Sequence, residues 1–427
     1  MKQLLGQTLT FAGFTVLPLS VVGHKGEVLL LAGTALVLLY VAVRERAWRP
    51  ILRQRHAWLL LGLTAFGAAT APWALVPGDA LRLAGSLLGL FVAIAIVLAA
   101  AASLDEAGRK GFAATAGAGY AFGCLLLGVE FYGGMPITYF VLYQGGKGPV
   151  LDANMLNPAL SVLAILVWPY AAAGTRFLGI VALMAATLIV LTGDMLAARI
   201  AIALGAVTFV LTQLLGRYLV KLVGTVAVLA IALAPLVPAM VGFERFAPQV
   251  AEMRSSVAHR LCIWEFAGAR ILEKPLLGWG LDSSRSIPGG EVECVEEGPS
   301  LSLHPHNAAL QVWLELGLAG AFALAALVAM AFRYVALMPH GMPVAAGHAA
   351  IVTTLVLAGL SYGIWQNWWI ASLALAAMVV RAALPGPVRP QPKPAPKPAS
   401  KPAAGGAAGQ PLAKIPTAQV PAALAKK

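Results

Sequence analysis

Long apolar stretches separated by short polar breaks run through most of this chain. A helix needs about 20 apolar residues to cross the hydrocarbon core of a bilayer, and twelve runs approach or reach that length. They fall near residues 4–22, 27–43, 57–75, 81–103, 112–131, 157–173, 177–193, 196–215, 219–241, 307–331, 345–364 and 367–384. The alternation of apolar and polar residues that marks a membrane barrel is absent from the sequence. The pattern predicts an all-α, polytopic helical membrane protein with about twelve transmembrane helices.

Composition and charge agree with a membrane chain. Hydrophobic residues make up 59% of the sequence and charged residues 11%, whereas soluble domains carry about 25% charged residues. The net charge of +12 comes largely from arginines and lysines in the polar breaks, such as the group between Arg44 and Arg55. Such clusters are typical of cytoplasmic loops, and nothing in their pattern indicates nucleic-acid binding.

A cytoplasmic N-terminus places all these basic breaks on the same side of the membrane. The sequence then divides into residues 1–242 with helices 1–9, a large periplasmic loop at 243–306, and residues 307–384 with helices 10–12. A short periplasmic loop falls at 132–156. Residues 385–427 are rich in Pro, Ala and Lys, and we expect a disordered cytoplasmic tail that is either solvated or close to anionic lipid headgroups. Because no small-residue cleavage site follows it, the first apolar run is expected to be a retained helix.

The loop at 243–306 concentrates the polar residues of the chain. It contains six of the 30 Lys and Arg residues, nine of the 18 Asp and Glu residues and three of the seven His residues. Two of the three cysteines, Cys262 and Cys294, also lie there. An oxidising compartment would permit a disulfide between them, although two cysteines in one loop can be a coincidence. The chemistry is expected in or beside this loop.

A helical pattern covers residues 256–273 inside the loop. Arg260 and Trp264 recur at helical spacing, and Pro275 ends the pattern. A guanidinium on the periplasmic side runs against the positive-inside trend, and forked recognition of a phosphate group is one reason for it. The alternative is an ordinary solvated face, which is our interpretation for Arg254, Arg270 and Arg285.

The sequence His304-Pro305-His306-Asn307 joins this loop to the next apolar run. Asn307 is a suitable N-cap for the helix that follows. A helix N-terminus attracts anions, and a histidine there can act as a general base. A metal site is a rival interpretation for two histidines at this spacing, but the loop lacks a regular set of further ligands. The histidines could also serve only to cap the helix.

Two further polar groups stand near the predicted membrane surface. Arg199 lies about one turn into an apolar run, where a charge needs a cavity or a partner. It could bind a substrate, pair with Asp194, or reach towards the interface. Asp152, Asn154 and Asn157 precede another run, and they could either bind a hydroxylated ligand or cap the helix that Pro158 begins.

The residues of the large loop resemble the signature of the O-antigen ligase family. The resemblance covers about 60 residues, which run from Arg260 to Trp264, through Pro275–Gly280 and His304–Asn307, to Glu315-Leu316-Gly317. The layout of residues 1–384 extends it, and the tail lies outside it. One departure is Ala198 before Arg199, where the family usually has serine. The sequence contains no Gly-x-x-x-x-Gly-Lys-Ser/Thr nucleotide-binding loop, no Gly-x-Ser-x-Gly motif and no His-Glu-x-x-His motif.

The resemblance implies a function for these residues. Members of the family transfer a glycan from undecaprenyl pyrophosphate to an acceptor on the periplasmic face, without a metal or cofactor. For this chain the leading hypothesis is a ligase of the bacterial inner membrane whose acceptor is lipid A–core. His306 would then be the general base, and Arg260 and Arg199 would bind the pyrophosphate. The expected substrate-binding residues are His304, Asn307, Trp264, Asp152 and Asn157.

Three alternatives remain beside the ligase hypothesis. An O-antigen polymerase typically has two sizeable periplasmic loops, each with an arginine followed by glycine eleven positions later, and neither loop here has that spacing. A protein O-oligosaccharyltransferase of the same superfamily is poorly excluded. From another class, a transporter could use the intramembrane arginine as a substrate site, but it would more typically show inverted repeats with broken helices.

Overall fold

Helices dominate the part of the chain that the structure describes. The computed structural model describes residues 1–143, 150–174, 176–242, 255–293, 299–301, 303–387 and 413. Its α-helices are α1 (Lys2–Gly23), α2 (Gly26–Arg44), α3 (Arg49–Leu52), α4 (Arg55–Ala69), α5 (Pro77–Ala101), α6 (Glu106–Gly133), α7 (Pro136–Leu142), α8 (Asn157–Ala173), α9 (Arg176–Thr192), α10 (Leu196–Leu215), α11 (Arg217–Leu233), α12 (Leu236–Val241), α13 (Ser255–Glu273), α14 (Ala308–Ala336), α15 (Met342–Leu360) and α16 (Asn367–Ala383). Single 3₁₀ turns occur at Ala153–Leu156 and Ser283–Ser286.

The predicted all-α membrane fold is confirmed. Each of the twelve apolar runs contains a helix, and eight helices within the described residues are long and apolar enough to cross a membrane. These eight are α1, α2, α5, α6, α8 with its preceding 3₁₀ turn, α10, α14 and α15. Helices α9 and α16 are apolar but shorter. The number of spans and the side that each loop faces stay predictions.

Several helix ends differ from the apolar runs. The run at 57–75 is helical only to Ala69, and the run at 219–241 is divided around Pro235, whose missing N–H interrupts helical hydrogen bonding. The run at 345–364 ends as a helix at Leu360. Residues 361–366 instead form a connecting loop before α16, which will be called the 361–366 loop.

Small residues let the helices approach closely. At the crossing of α1 and α6, a Cβ atom added to Gly119 would lie 2.1 Å from the main-chain oxygen of Phe14. Gly205 of α10 lies similarly close to Trp168, whose indole N–H donates to Thr353 of α15 at 2.8 Å. Small residues at such contacts are typical of membrane helices, where packing replaces the hydrophobic effect between helices.

Helix α14 is broken near the site. Gly317 has φ 57° and ψ −150°, so the helix changes direction there. The segment Pro275–Gly280 lies against the break: Leu318 N–H donates to Pro275 O at 2.9 Å, and Gly280 N–H donates to Glu315 O at 2.8 Å. A Cβ atom on Gly317 would lie 2.5 Å from the main chain of Leu276. Glycine therefore permits both the turn and the backbone-to-backbone contact.

The helix predicted at 256–273 is confirmed as α13, so the large loop is partly helical. Cys262 of α13 is disulfide-bonded and Cys124 is a free thiol. Cys294 and Arg254 lie outside the described residues. So does the predicted disordered tail, except for residues 385–387 and Ala413. A Cys262–Cys294 pairing therefore stays a prediction.

Candidate active site

His306 occupies a strained turn beside the 361–366 loop. Its φ is +52°, in the left-handed region that is uncommon for residues other than glycine, although asparagine, aspartate and histidine occur there more often than most. Its Nδ1 atom lies 2.5 Å from the main-chain oxygen of Ser361. A carbonyl oxygen can only accept a hydrogen bond, so Nδ1 carries the proton. In the neutral ring, Nε2 is then the atom that can accept a proton.

The surroundings favour the neutral form of His306. Burial lowers the pKa of His306, and the charges of Arg260 and His259 act in the same direction, while the hydrogen bond to Ser361 opposes them. Both of these neighbours lie on α13. The structure therefore brings Arg260 and His306, two of the residues predicted from sequence, into one electrostatic environment.

Two side chains fix the turn that carries His306. Trp264 of α13 donates from its indole N–H to Pro305 O at 2.9 Å. Asn307 accepts from the N–H groups of Ala309 and Leu310 at 3.0 and 3.1 Å. The N-cap predicted at Asn307 is confirmed, and it starts α14 immediately after the histidines. Substrate binding by Trp264 and Asn307 stays a prediction.

His304 lies beside His306 and lines a cavity. The centroids of the two imidazole rings are 4.3 Å apart, and His304 Nε2 lies 3.4 Å from Gln366 Nε2. Burial lowers the pKa of His304 to about 3, with His306 and Arg285 acting in the same direction. His304 is therefore uncharged at neutral pH.

The cavity beside His304 has a volume of about 480 Å³. Its polar lining includes two cations, one carboxylate and three amides, and its aromatic lining includes two indoles. These residues are Lys25, Arg285, Asp282, Gln311, Gln366, Asn367, Trp365 and Trp368. Cavities of this size accommodate small-molecule groups, and this lining offers hydrogen bonds to hydroxyls together with charge for an anion.

Tyr362 connects other predicted residues to this site. Its hydroxyl lies 3.0 Å from Ser161 Oγ and 3.9 Å from the sulfur of Met195, which precedes α10. Ser161 in turn donates to the main-chain oxygen of Asn157 at 3.0 Å. Since Tyr362 follows Ser361 directly, the start of α8 and the start of α10 lie at the same end of the bundle as His306.

Arg199 lies in the first turn of α10 and folds back on the preceding turn. Its Nη2 atom donates to Leu191 O at 3.0 Å and Gly193 O at 2.7 Å, and lies 3.7 Å from Asp194 Oδ1. The pairing with Asp194 that the sequence offered as an alternative is therefore present. Within the described part of the chain, no hydrogen bond or ion pair joins Arg199 to Arg260 or His306. A role in binding pyrophosphate stays a prediction.

Asp152 and Asn157 belong to a polar turn before α8. Asp152 accepts from Asn154 N at 2.9 Å, and Asn157 Nδ2 donates to Asn154 Oδ1 at 3.1 Å. Asp152 and Asn154 are exposed, and Asn157 is partly buried. Asp152 caps the 3₁₀ turn, whereas α8, the helix that contains Pro158, has no side-chain cap. Ligand binding by this turn stays a prediction.

Sequence reasoning missed the 361–366 loop. The apolar pattern places residues 361–364 at the end of a run. In the structure, however, the main-chain oxygen of Ser361 accepts a hydrogen bond from His306, and Gln366 lies beside His304. A run of polar, aromatic and glycine residues between two apolar runs was the available signal. The contribution of Ser361 comes from a carbonyl oxygen, which every residue type carries.

The described residues contain no group of three or more His, Cys, Asp or Glu side chains arranged to hold a metal ion. The mechanism without a metal stays a prediction.

Comparisons with known proteins agree with the resemblance. Residues 159–325 match the O-antigen ligase family. A Rickettsia conorii protein provisionally named a polysaccharide ligase is 33% identical over 183 residues, which cover 42% of this chain and 44% of the relative. A Rickettsia typhi protein of the same provisional name is 31% identical over 42% of this chain and 45% of the relative. A Rickettsia bellii protein, also so named, is 29% identical over 58% of this chain and 62% of the relative.

The matched part of the chain spans less than half of the R. conorii and R. typhi relatives. The matched residues include α13, His304, His306 and the break in α14. Together they support a ligase-type function for a multi-pass membrane protein. Over residues 159–325, this chain is similar to the O-antigen ligase family.

Proposed function

We propose that this protein is an O-antigen ligase. It transfers a glycan from undecaprenyl pyrophosphate to a sugar hydroxyl of lipid A–core, on the periplasmic face of the bacterial inner membrane. The reaction needs no metal or cofactor and inverts the anomeric carbon. It completes lipopolysaccharide, and it acts on two substrates that both stay anchored in the bilayer.

The observation that carries this proposal is the hydrogen bond between His306 and Ser361 O. It leaves Nε2 as the proton acceptor of an uncharged imidazole, and burial keeps the pKa of His306 below its usual value. A general base must hold a lone pair at working pH and keep a fixed direction. His306 meets both requirements.

The reaction follows from these groups. His306 Nε2 takes the proton of the acceptor hydroxyl, whose oxygen attacks the anomeric carbon of the donor glycan. The bond between that carbon and the pyrophosphate oxygen breaks, and the electron pair leaves with undecaprenyl pyrophosphate. Arg260, half-buried on α13, stabilises the negative charge that develops on the leaving group. Attack from the opposite face inverts the configuration.

The cavity beside His304 supports the use of a carbohydrate substrate. Gln311 and Gln366 can hydrogen-bond hydroxyl groups, and the indoles of Trp365 and Trp368 give flat apolar surfaces. Lys25 and Arg285 can balance an acidic or phosphorylated sugar.

Purified protein in liposomes tests the proposal. The liposomes contain undecaprenyl-pyrophosphate-linked glycan, with lipid A–core in one sample and none in another, and a chelator in both. We expect core-attached glycan, detected by gel and mass spectrometry, in the first sample only. Lengthening of the donor glycan without lipid A–core would instead identify a polymerase. If no product forms although a control transferase uses the same substrates, the transferase proposal is overturned.

A further inference from the structure

Glu315 is a fully buried carboxylate on α14, between the site and the break in that helix. Four donors surround it. Its Oε1 atom accepts from Ser284 Oγ at 2.5 Å and Gln311 Nε2 at 3.0 Å. Its Oε2 atom accepts from Asp282 N at 2.6 Å and Trp365 Nε1 at 2.8 Å.

These four bonds use the full accepting capacity of a carboxylate, which has two oxygens with about four lone-pair positions. Within the described residues no arginine or lysine forms an ion pair with Glu315. A buried carboxylate without a cation must be held by hydrogen bonds. The four donors therefore stabilise the buried carboxylate of Glu315, and these hydrogen bonds would be lost without Glu315.

The donors come from separate parts of the chain. Asp282 and Ser284 belong to the segment after α13, while Trp365 belongs to the 361–366 loop. Gln311 adds a second hydrogen bond between α14 and the 361–366 loop, because its Oε1 atom accepts from Ile364 N at 2.9 Å. Glu315 thus joins the 361–366 loop to α14 and to the segment at 282–284.

The 361–366 loop in turn sets both histidines. Ser361 O accepts from His306 Nδ1, and a Cβ atom added to Gly363 would lie 2.8 Å from the ring of His304. Because the loop contacts both histidines, a shift of the loop would move their rings. Reactions that need aligned groups lose about a hundredfold in rate when a group moves by 1 Å.

From these contacts we infer that Glu315 is a positioning residue, which orients His306 for proton transfer by fixing the 361–366 loop. Its effect on the rate rests on the proposed function, whereas its effect on the position of His306 does not. The substitution Glu315→Gln keeps the shape of the side chain. It replaces two acceptor positions with an amide N–H₂ that faces other N–H donors.

The first test measures transfer by Glu315→Gln in the liposome assay. We expect kcat to fall about a hundredfold with KM for the donor unchanged, because binding is kept and alignment is lost. The control is Glu130→Gln. Glu130 is also a fully buried carboxylate, but its described bonds go to Ile137 and Thr138 at the start of α7. It should retain the kcat of the unchanged protein.

The second test does not need transfer activity. Diethyl pyrocarbonate modifies uncharged imidazole, and mass spectrometry follows its reaction at His306 as a function of pH. In Glu315→Gln we expect faster modification and a midpoint that moves up towards the usual histidine value. Water that reaches the loosened turn relieves the desolvation that lowers the pKa of His306, and this larger effect outweighs the weakened hydrogen bond to Ser361, which raises it. The charges that act on His306 are Arg260 and His259 on α13, with His304 beside it, and all three remain in the variant.

Together the two tests separate the outcomes. If the unchanged protein transfers no glycan, the proposed function fails while the labelling still decides the role of Glu315. If folded Glu315→Gln keeps its kcat and its labelling midpoint, the positioning role is overturned. If Glu315→Gln does not fold, Trp365→Phe removes one donor and keeps an aromatic ring. It should shift kcat and the midpoint in the same directions by a smaller amount, and unchanged values would overturn the inference.

Discussion

His306 and Ser361 are 55 positions apart in the sequence, yet Nδ1 of one lies 2.5 Å from the main-chain oxygen of the other. This contact determines which nitrogen of His306 carries the proton. It also explains why a histidine tolerates φ +52° here, since the hydrogen bond offsets part of the roughly 1–2 kcal/mol that the left-handed conformation costs.

Replacing His306 with asparagine should remove transfer without disturbing the turn. Asparagine tolerates positive φ better than most residues, and its amide cannot act as a base near neutral pH. We expect kcat to fall about 100- to 10,000-fold, with protein yield and thermal unfolding close to those of the unchanged protein. His340→Asn, an exposed histidine on another connection, is the matched control. Substantial transfer by His306→Asn would rule out His306 as the base.

Replacing Arg260 with lysine should test forked recognition of the pyrophosphate. Lysine keeps the positive charge but loses the paired N–H groups of guanidinium, so kcat/KM should fall about tenfold or more. Arg270→Lys is the control on the same helix, where Arg270 bonds Glu273 at 2.6 Å. Steady-state kinetics with varied donor measure both variants. Equal kcat/KM values for the two would argue that charge alone, or neither arginine, serves the donor.

His304 should make the protein less stable in mild acid. Its pKa is lowered to about 3 in the folded protein against about 6.5 when unfolded, so the unfolded chain binds the proton more readily. The free energy of unfolding is therefore highest above pH 6.5 and decreases as the pH falls towards 3. The decrease is about 2 kcal/mol at pH 5. Thermal unfolding in detergent at pH 7.5 and 5 should show this loss. His304→Gln should lose less stability over the same interval, and an equal loss would contradict the prediction.

Substituting Gly317 should weaken the fold at the break in α14. An added Cβ atom would lie 2.5 Å from the main chain of Leu276, at φ +57°. We expect Gly317→Ala to reduce the free energy of unfolding by about 2 kcal/mol or more. Gly359 of α15 has no atom within 4 Å of an added Cβ, so Gly359→Ala should be neutral or stabilising by up to about 1 kcal/mol. Comparing their unfolding temperatures tests the difference.

The sequence predicted the helices and several residues of the site. Apolar runs long enough to span a bilayer have few other structures available, so each of the twelve contains a helix. Asn307 is followed by a strong helical pattern, and its cap was predictable for the same local reason. The amphipathic spacing of Arg260 and Trp264 likewise located α13.

The remaining parts of the site depend on contacts between distant segments. Glu315 and Gln311 lie in a motif that resembles a family signature, but their bonds to Ser284, Ile364 and Trp365 follow from tertiary packing alone. The bonds of Arg199 to Leu191 O and Gly193 O are equally invisible, because main-chain oxygens leave no mark in the sequence.

The contact between His306 and Ser361 also has a consequence for how the protein is made. His306 precedes α14, whereas Ser361 follows α15, so two membrane helices must be synthesised between the base and the oxygen that orients it. Trp365, which ties the loop to Glu315, comes later still. A nascent chain that ends before Ser361 therefore lacks an oriented base. The candidate site can form only after α14 and α15 have been synthesised and Trp365 has joined the loop to Glu315.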